Sequence, residues 1–201
     1  ARVNARLSAL SARRYLRLIW RARETFCRFT VVEAQSEADA ARLKTIGATH
    51  PVVTGNIKFD MTLPAAARAL GVSWREAMGS RPVILAASTR EGEEARFLDA
   101  SCAHPAGDTA LLVIVPRHPQ RFDAVATQAR ALGLRVARRS EAAPARPDTQ
   151  VWLGDSMGEM AAYYTLADVV LMGGTWLPFG GQNLIECCAA GRAVLLGPHT
   201  Y

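Results

Sequence analysis

Short, wholly apolar runs recur at residues 83–87, 110–115, 151–153, 169–172 and 193–196. Helix-periodic segments lie between most of them, at 91–100, 121–132, 157–166 and 183–190. A strand that is apolar on both sides of its pleat is covered on both faces. Its alternation with helices predicts a parallel sheet in an α/β architecture. A shorter strand fits residues 135–137, and 140–148 reads as a surface loop. Upstream, 29–32 and 51–54 predict strands, and 37–46 a helix stopped by Gly47. Residues 5–26 predict one amphipathic helix. At about 100° per residue, Leu7, Tyr15, Leu18, Ile19, Ala22 and Phe26 share a face opposite Arg2, Arg6, Arg13, Arg14, Arg17 and Arg21. Residues 61–82, with Pro64, Gly71, Gly79 and Pro82, read as a linker holding a short helix near 74–78. The expected organisation is a first domain over 1–60, a linker over 61–82 and a second domain over 83–201.

Composition narrows the class. Half of the residues are hydrophobic and 21% are charged, which excludes wholesale disorder. The longest uncharged stretch, 169–185, is interrupted by glycines and Pro178, so no membrane-spanning helix is predicted. Charge is uneven. Residues 1–30 hold eight arginines and one acid, Glu24, whereas the remainder holds 16 basic and 17 acidic side chains. The basic segment suits an anionic lipid surface or a phosphorylated lipid. Nucleic acid fits less well, because only Trp20 among the aromatic residues borders the arginine face. Cys27, Cys102, Cys187 and Cys188 form neither a disulfide framework nor a zinc motif, and are expected to be small buried side chains.

In parallel sheets ligands bind at the carboxyl ends of strands, and four predicted strand exits carry distinctive residues. Ser88-Thr89 precedes Glu91, Glu93 and Glu94. This pattern suits a helix start, with hydroxyl contacts to a sugar as the sharper reading. Pro116-Arg117-His118-Pro119 puts a phosphate-type cation at a strand end. Asp155-Ser156-Met157-Gly158-Glu159 reads as a helix cap, or as an apolar seat for a nucleobase. Gly173-Gly174 and Gly180-Gly181 flank a loop leading to Asn183 and Glu186. Those two residues fit a capping box, and a carboxylate there also suits ribose hydroxyls. The GxGxxG, GxxxxGK[ST] and GxSxG signatures are absent.

These motifs, in order and along almost the whole chain, resemble the 3-deoxy-D-manno-octulosonic acid (Kdo) transferases of lipopolysaccharide biosynthesis. The resemblance rests on Asn4-Ala5-Arg6-Leu7-Ser8, Ala34-Gln35-Ser36, Thr54-Gly55-Asn56-Ile57-Lys58-Phe59-Asp60, residues 86–94, Val115-Pro116-Arg117-His118-Pro119, residues 154–160, Gly173-Gly174-Thr175, residues 180–186 and Gly197-Pro198-His199-Thr200. Gln182 and Leu184 stand where the family often has His and Pro.

The resemblance implies a GT-B glycosyltransferase with two Rossmann-like domains. It would transfer Kdo from a CMP-Kdo donor to a lipid A precursor (lipid IVA) at the cytoplasmic face of the bacterial inner membrane. Carried over by residue, it places CMP on Pro116, Arg117, Met157, Gly158, Glu159, Asn183, Leu184, Ile185 and Glu186. Ser88, Thr89, Arg6, Arg13 and Arg17 are candidates for sugar, acceptor or membrane contacts. The resemblance further implies that the general base, a Glu, and a membrane anchor lie upstream of Ala1 and that C-terminal helices follow Tyr201, so the chain is expected to be an incomplete fragment, inactive alone. No metal, cofactor or nucleic-acid partner is expected. The alternatives are a GT-B transferase for another sugar nucleotide, or a nucleotide-binding fragment without catalysis.

Overall fold

The computed structural model describes residues 1–200 apart from 105, 106, 108 and 142–144. The last three fall in the surface loop expected at 140–148 and lie outside the described residues. The chain divides into two compact units, Ala1–Met61 and Thr62–Tyr201.

The first unit is a three-stranded parallel sheet in the order β1-β2-β3, with strands β1 (Arg2–Ala5), β2 (Val32–Ala34) and β3 (Pro51–Val53). Strand β1 is polar in sequence and reaches into the start of the helix expected over 5–26. That helix is in fact two, α1 (Ala9–Leu16) and α2 (Ile19–Phe26), separated where Leu18 leaves helical geometry. Ala12 and Ala22 are both buried in the core. On one straight helix they would point roughly 80° apart, and the break lets each half present its alanine to the sheet. Tyr15 and Leu18, expected on the buried face, are exposed.

Helix α3 (Glu37–Thr45) is capped by Ser36, whose Oγ accepts from the Asp39 amide. Asp39 is itself buried and accepts from the Leu7 amide, the Ser36 hydroxyl and Arg42. Burial pushes its carboxyl up, but these bonds outweigh burial and hold it at about 2.

At the carboxyl edge of this sheet β1 is bulged, its register shifting between Arg2 and Ala5, and Asn4 adopts a left-handed φ of 56°. The Asn4 side-chain oxygen accepts from Gln35 Nε2 at 3.0 Å and from the Ile57 amide at 3.3 Å, joining the exits of all three strands.

The second unit opens with a helix in place of the expected linker. Helix α4 (Ala65–Met78) spans most of residues 61–82. Gly71, which reads in sequence as a breaker, is instead the point of close helix contact. A Cβ there would lie 2.4 Å from the Ala162 carbonyl oxygen. The nearby Trp74 packs edge-on against Trp152 and lies 5.0 Å from the Tyr163 ring.

The rest follows the expected alternation. Strand β4 (Val83–Thr89) leads through α5 (Glu93–Ala103) to β5 (Leu111–Pro116), and α6 (Phe122–Ala131) leads to β6 (Val136–Arg138) and β7 (Val151–Leu153). Helix α7 (Met160–Leu166), β8 (Val169–Met172), α8 (Ile185–Ala189) and β9 (Ala193–Leu195) complete it. The six strands are parallel in the order β6-β7-β5-β4-β8-β9.

Alternate strand residues serve two cores. Ala86, Leu112, Ile114 and Leu153 meet Phe97, Leu98, Val125 and Ala129 on the α5–α6 side. Leu85, Val113, Trp152 and Met172 meet Tyr163, Tyr164, Leu166 and Cys187 on the other. Of the four cysteines only Cys187 is buried; Cys27, Cys102 and Cys188 are exposed, contrary to expectation. Burial pushes the Cys187 thiol up to about 12, so it is no nucleophile.

Candidate functional site at the carboxyl edge of the second sheet

The chain leaves β4 toward β5 on one side and later returns to β8 on the other. The crevice between the ends of β4 and β8 is therefore the topological switch point, where parallel α/β sheets take ligands. The exits of β7, β5, β4 and β8 stand side by side along this edge, and they carry the residues singled out in the sequence.

Strand β4 is bulged here. Its register shifts between Ala87 and Thr89, and Ser88 has a left-handed φ of 54°. Gly173 fits against this bulge because it has no side chain; a Cβ would meet the Ser88 carbonyl oxygen at 2.4 Å. Beneath the loops lies Glu93, fully buried. Its carboxylate accepts from the backbone amides of Arg90 (2.9 Å), Gly174 (2.8 Å) and Trp176 (3.0 Å), stapling the β8 exit to the β4 exit. Glu94 is equally buried and accepts from Thr89 Oγ1 and from Arg121.

Reading these acids from sequence as complements to a helix dipole misses both roles. The one available signal is that Gly92 cannot cap with a side chain and leaves the acids without a capping partner. Thr89 is thereby corrected: it is fully buried and its hydroxyl is committed to Glu94, so it offers nothing to a sugar. Ser88 is half-buried.

Pro116 ends β5 in the interior, and Arg117 follows it exposed, its amide bonded to the Thr89 carbonyl at 2.9 Å. Arg117 forms no side-chain ion pair or hydrogen bond among the described residues. Past β7, Met157 is 67% exposed. Gly158 has φ +79°, and a Cβ on it would have nothing within 4 Å, so the two residues form an open apolar step.

Both flanks of that step are fixed. The Asp155 side chain accepts from Arg138 Nε at 2.7 Å and from the Ser140 amide and hydroxyl. Burial raises its carboxyl, and these bonds outweigh it and hold the group below its usual range. Glu159 takes a two-pronged bond from Arg139 at 2.9 and 3.1 Å and a short one from the Ser156 hydroxyl. The Glu159 carboxylate is therefore engaged within the protein. Arg139 also lies over the Trp74 ring at 5.1 Å.

The loop after β8 is closed by the Gly181 amide on the Gly174 carbonyl at 2.7 Å. Thr175 is buried and ties it down, donating to the Met172 carbonyl and accepting from the Gly197 amide. The helix expected over 183–190 is only the five residues of α8. Asn183 Oδ1 accepts from the Ile185 amide at 3.1 Å, but Glu186 does not reach back, so no capping box forms. Glu186 is half-buried and accepts no side-chain hydrogen bond among the described residues. A single turn carries little dipole, so charge stabilisation at this edge rests on arginines rather than on α8. Asn183 is exposed, whereas Leu184 and Ile185 are half-buried, Leu184 packing against the core on the α7 side.

In the first unit Arg6, Arg13 and Arg17 are all exposed, together with Leu10, Leu18 and Trp20. Among the described residues no group of three His, Cys, Asp or Glu could hold a metal ion, and no helix is long and apolar enough to cross a membrane.

An all-parallel sheet covered by helices on both faces, with a crevice at its topological switch point, is a Rossmann-like α/β domain. A family model described as 3-deoxy-D-manno-octulosonic-acid transferase (kdotransferase) matches residues 1–61. The 3-deoxy-D-manno-octulosonic acid transferase of Bordetella pertussis is 48% identical over 206 residues, covering 100% of this chain and 48% of the relative. That of Haemophilus influenzae is 35% identical, covering 98% of this chain and 47% of the relative. The crystal structure of the C-terminal CMP-Kdo binding domain of WaaA from Acinetobacter baumannii matches with a TM-score of 0.64 at 33% identity, over 67% of this chain and 72% of that one. The chain belongs to the 3-deoxy-D-manno-octulosonic acid transferase family of glycosyltransferases. It spans about half the length of the curated relatives it matches.

Proposed function

We propose that the chain is the donor-binding half of a Kdo transferase that moves Kdo from CMP-Kdo to a lipid A precursor, lipid IVA. The observation that carries this reading is the row of adjacent strand exits. They present an open apolar step at Met157–Gly158, an exposed Arg117 and a carboxylate, Glu186, the latter two without a side-chain bond among the described residues. Their chemistry matches a base, a phosphate and a ribose diol in turn. Pro116, Glu159 and Asn183 shape the site: Glu159 and Asn183 spend their side chains on the loops that hold it.

In the reaction, an acceptor hydroxyl oxygen attacks the anomeric carbon and the bond from that carbon to the phosphate oxygen breaks. The hydroxyl proton passes to a base, and CMP leaves as a phosphate monoester. Arg117 offsets the charge that grows on the leaving phosphate, a contact whose removal typically costs about 2–4 kcal/mol of barrier. Arg6, Arg13 and Arg17, with Trp20 and Leu18 exposed in the same segment, suit the phosphorylated acceptor or the anionic inner-membrane surface on its cytoplasmic face.

Calorimetric titration with CMP tests the reading. Binding by the wild-type chain, reduced at least tenfold in both Glu186→Ala and Arg117→Ala, supports it. Tighter binding of UDP or GDP than of CMP points to a different sugar-nucleotide transferase, and a folded chain that binds none of them overturns the site.

A further inference from the structure

Arg90 stands on the same switch-point edge and takes no part in the nucleotide contacts above. It leaves β4 at the bulge, beside the point where the Arg117 amide bonds to Thr89. Its guanidinium is held from two sides. Nη1 lies 2.7 Å from His118 Nε2, and the group stacks over the Phe179 ring at 5.1 Å. Arginine has no lone pair to offer, so His118 Nε2 is the acceptor in this contact. Neither partner is acidic. Nearby Glu91 is paired with Arg121, Glu93 is consumed by three amides, and Glu94 by Thr89 and Arg121. Arg90 is thus a fixed cation with the rest of its planar fork open and no carboxylate partner among the described residues. That arrangement suits bidentate capture of an external carboxylate, not a structural salt bridge.

Arg90 and Arg117 start from neighbouring strands, about 4.8 Å apart in a sheet. Two cations so placed fit a ligand with two anionic groups close together. In an octulosonic acid sugar nucleotide the carboxylate and the phosphate ester stand on one carbon, the anomeric centre. From this juxtaposition we propose that Arg90, held by His118 and Phe179, is the subsite for the donor sugar's carboxylate, while Arg117 serves the phosphate. The proposal rests on the donor-binding reading above. It makes Arg90 the residue that distinguishes an acidic sugar from a neutral one on the same nucleotide.

The test is titration of the full chain with CMP and with CMP-Kdo, for wild type, Arg90→Gln, Arg90→Lys and Arg117→Ala. Thermal melting verifies that each variant folds. Arg90→Gln is expected to weaken CMP-Kdo about tenfold or more while leaving CMP within about twofold. Arg90→Lys, which keeps the charge and loses the fork, is expected to fall between on CMP-Kdo and to leave CMP unchanged, and it stands alone if the Gln variant does not fold. Arg117→Ala is expected to weaken both ligands. Equal losses on CMP and CMP-Kdo in the Arg90 variants would assign Arg90 to the phosphate and overturn the proposal, as would no loss on either. If wild type binds CMP but gains nothing from the sugar acid, the carboxylate subsite falls and the nucleotide site stands. If it binds neither ligand, both fall.

Discussion

The carboxyl edges of the two sheets solve the same problem in opposite ways. Each has a bulged strand with one non-glycine residue in the left-handed region, Asn4 in β1 and Ser88 in β4. In the first unit the bulge is braced by a neutral amide network, Asn4 with Gln35 and the Ile57 backbone. In the second it is braced by a buried carboxylate, Glu93, that gathers three backbone amides. A neutral brace is cheap and local. A buried anion is tolerated only when fully satisfied, and once satisfied it locks two strand exits together. The difference teaches that an edge can keep particular arginines, here Arg90 and Arg117, without acidic partners among the described residues by turning Glu93 onto backbone amides and Glu94 onto Thr89 and Arg121.

Removing Glu93 breaks the comparison most forcefully. Glu93→Ala leaves the amides of Arg90, Gly174 and Trp176 without their acceptor, and roughly 3 kcal/mol or more of stability is expected to be lost from the second unit. Denaturant unfolding measures it. A loss under about 1 kcal/mol would reduce Glu93 to a bystander and undo the contrast. Acid titration sharpens the picture in the first unit. Asp39 has a folded value of about 2 against an ordinary 3.8. A depressed carboxylate contributes stability that is present above its unfolded value and is lost as pH falls through the folded one. Up to about 2 kcal/mol is therefore expected to disappear between about pH 4 and pH 2, and Asp39→Asn should flatten that slope. The smallest effect separates the two bulges directly. Ser88→Gly relieves a left-handed residue and is expected to gain up to about 1 kcal/mol. Asn4→Gly relieves the same strain but deletes the amide brace, and is expected to be neutral or destabilising by about 1 kcal/mol. Equal signs at the two sites, read by the same unfolding measurement, would show that the braces do not matter.

The second sheet was legible because its strands are apolar on both faces; runs such as 110–115 leave a parallel core as the natural reading. The first was read less well. Strand β1 is Arg-Val-Asn-Ala, with too few apolar positions to announce a strand, and its bulge removes the period-two pattern. The break at Leu18 follows from which alanines meet the core, a long-range matter that local periodicity does not encode. Arg117, Met157–Gly158 and Glu186 could be singled out because strand exits are where parallel sheets take ligands, and the structure places them along one such edge. Glu93 was missed because its partners Gly174 and Trp176 lie 81 and 83 residues away in the chain, and α8 was over-extended because Asn183 and Glu186 satisfy the spacing of a capping box without forming one.

Helix α4 has a practical consequence for anyone dissecting this protein. Gly71 sets it so close to α7, and Trp74 so squarely on Trp152 and Tyr163, that the natural excision point for the second unit lies before Ala65. A cut at Val83, where the regular strand–helix rhythm starts, would strip an aromatic lid from the sheet and remove the surface on which Arg139 rests. The isolated piece would be sticky, and the step at Met157–Gly158 would lose its backing.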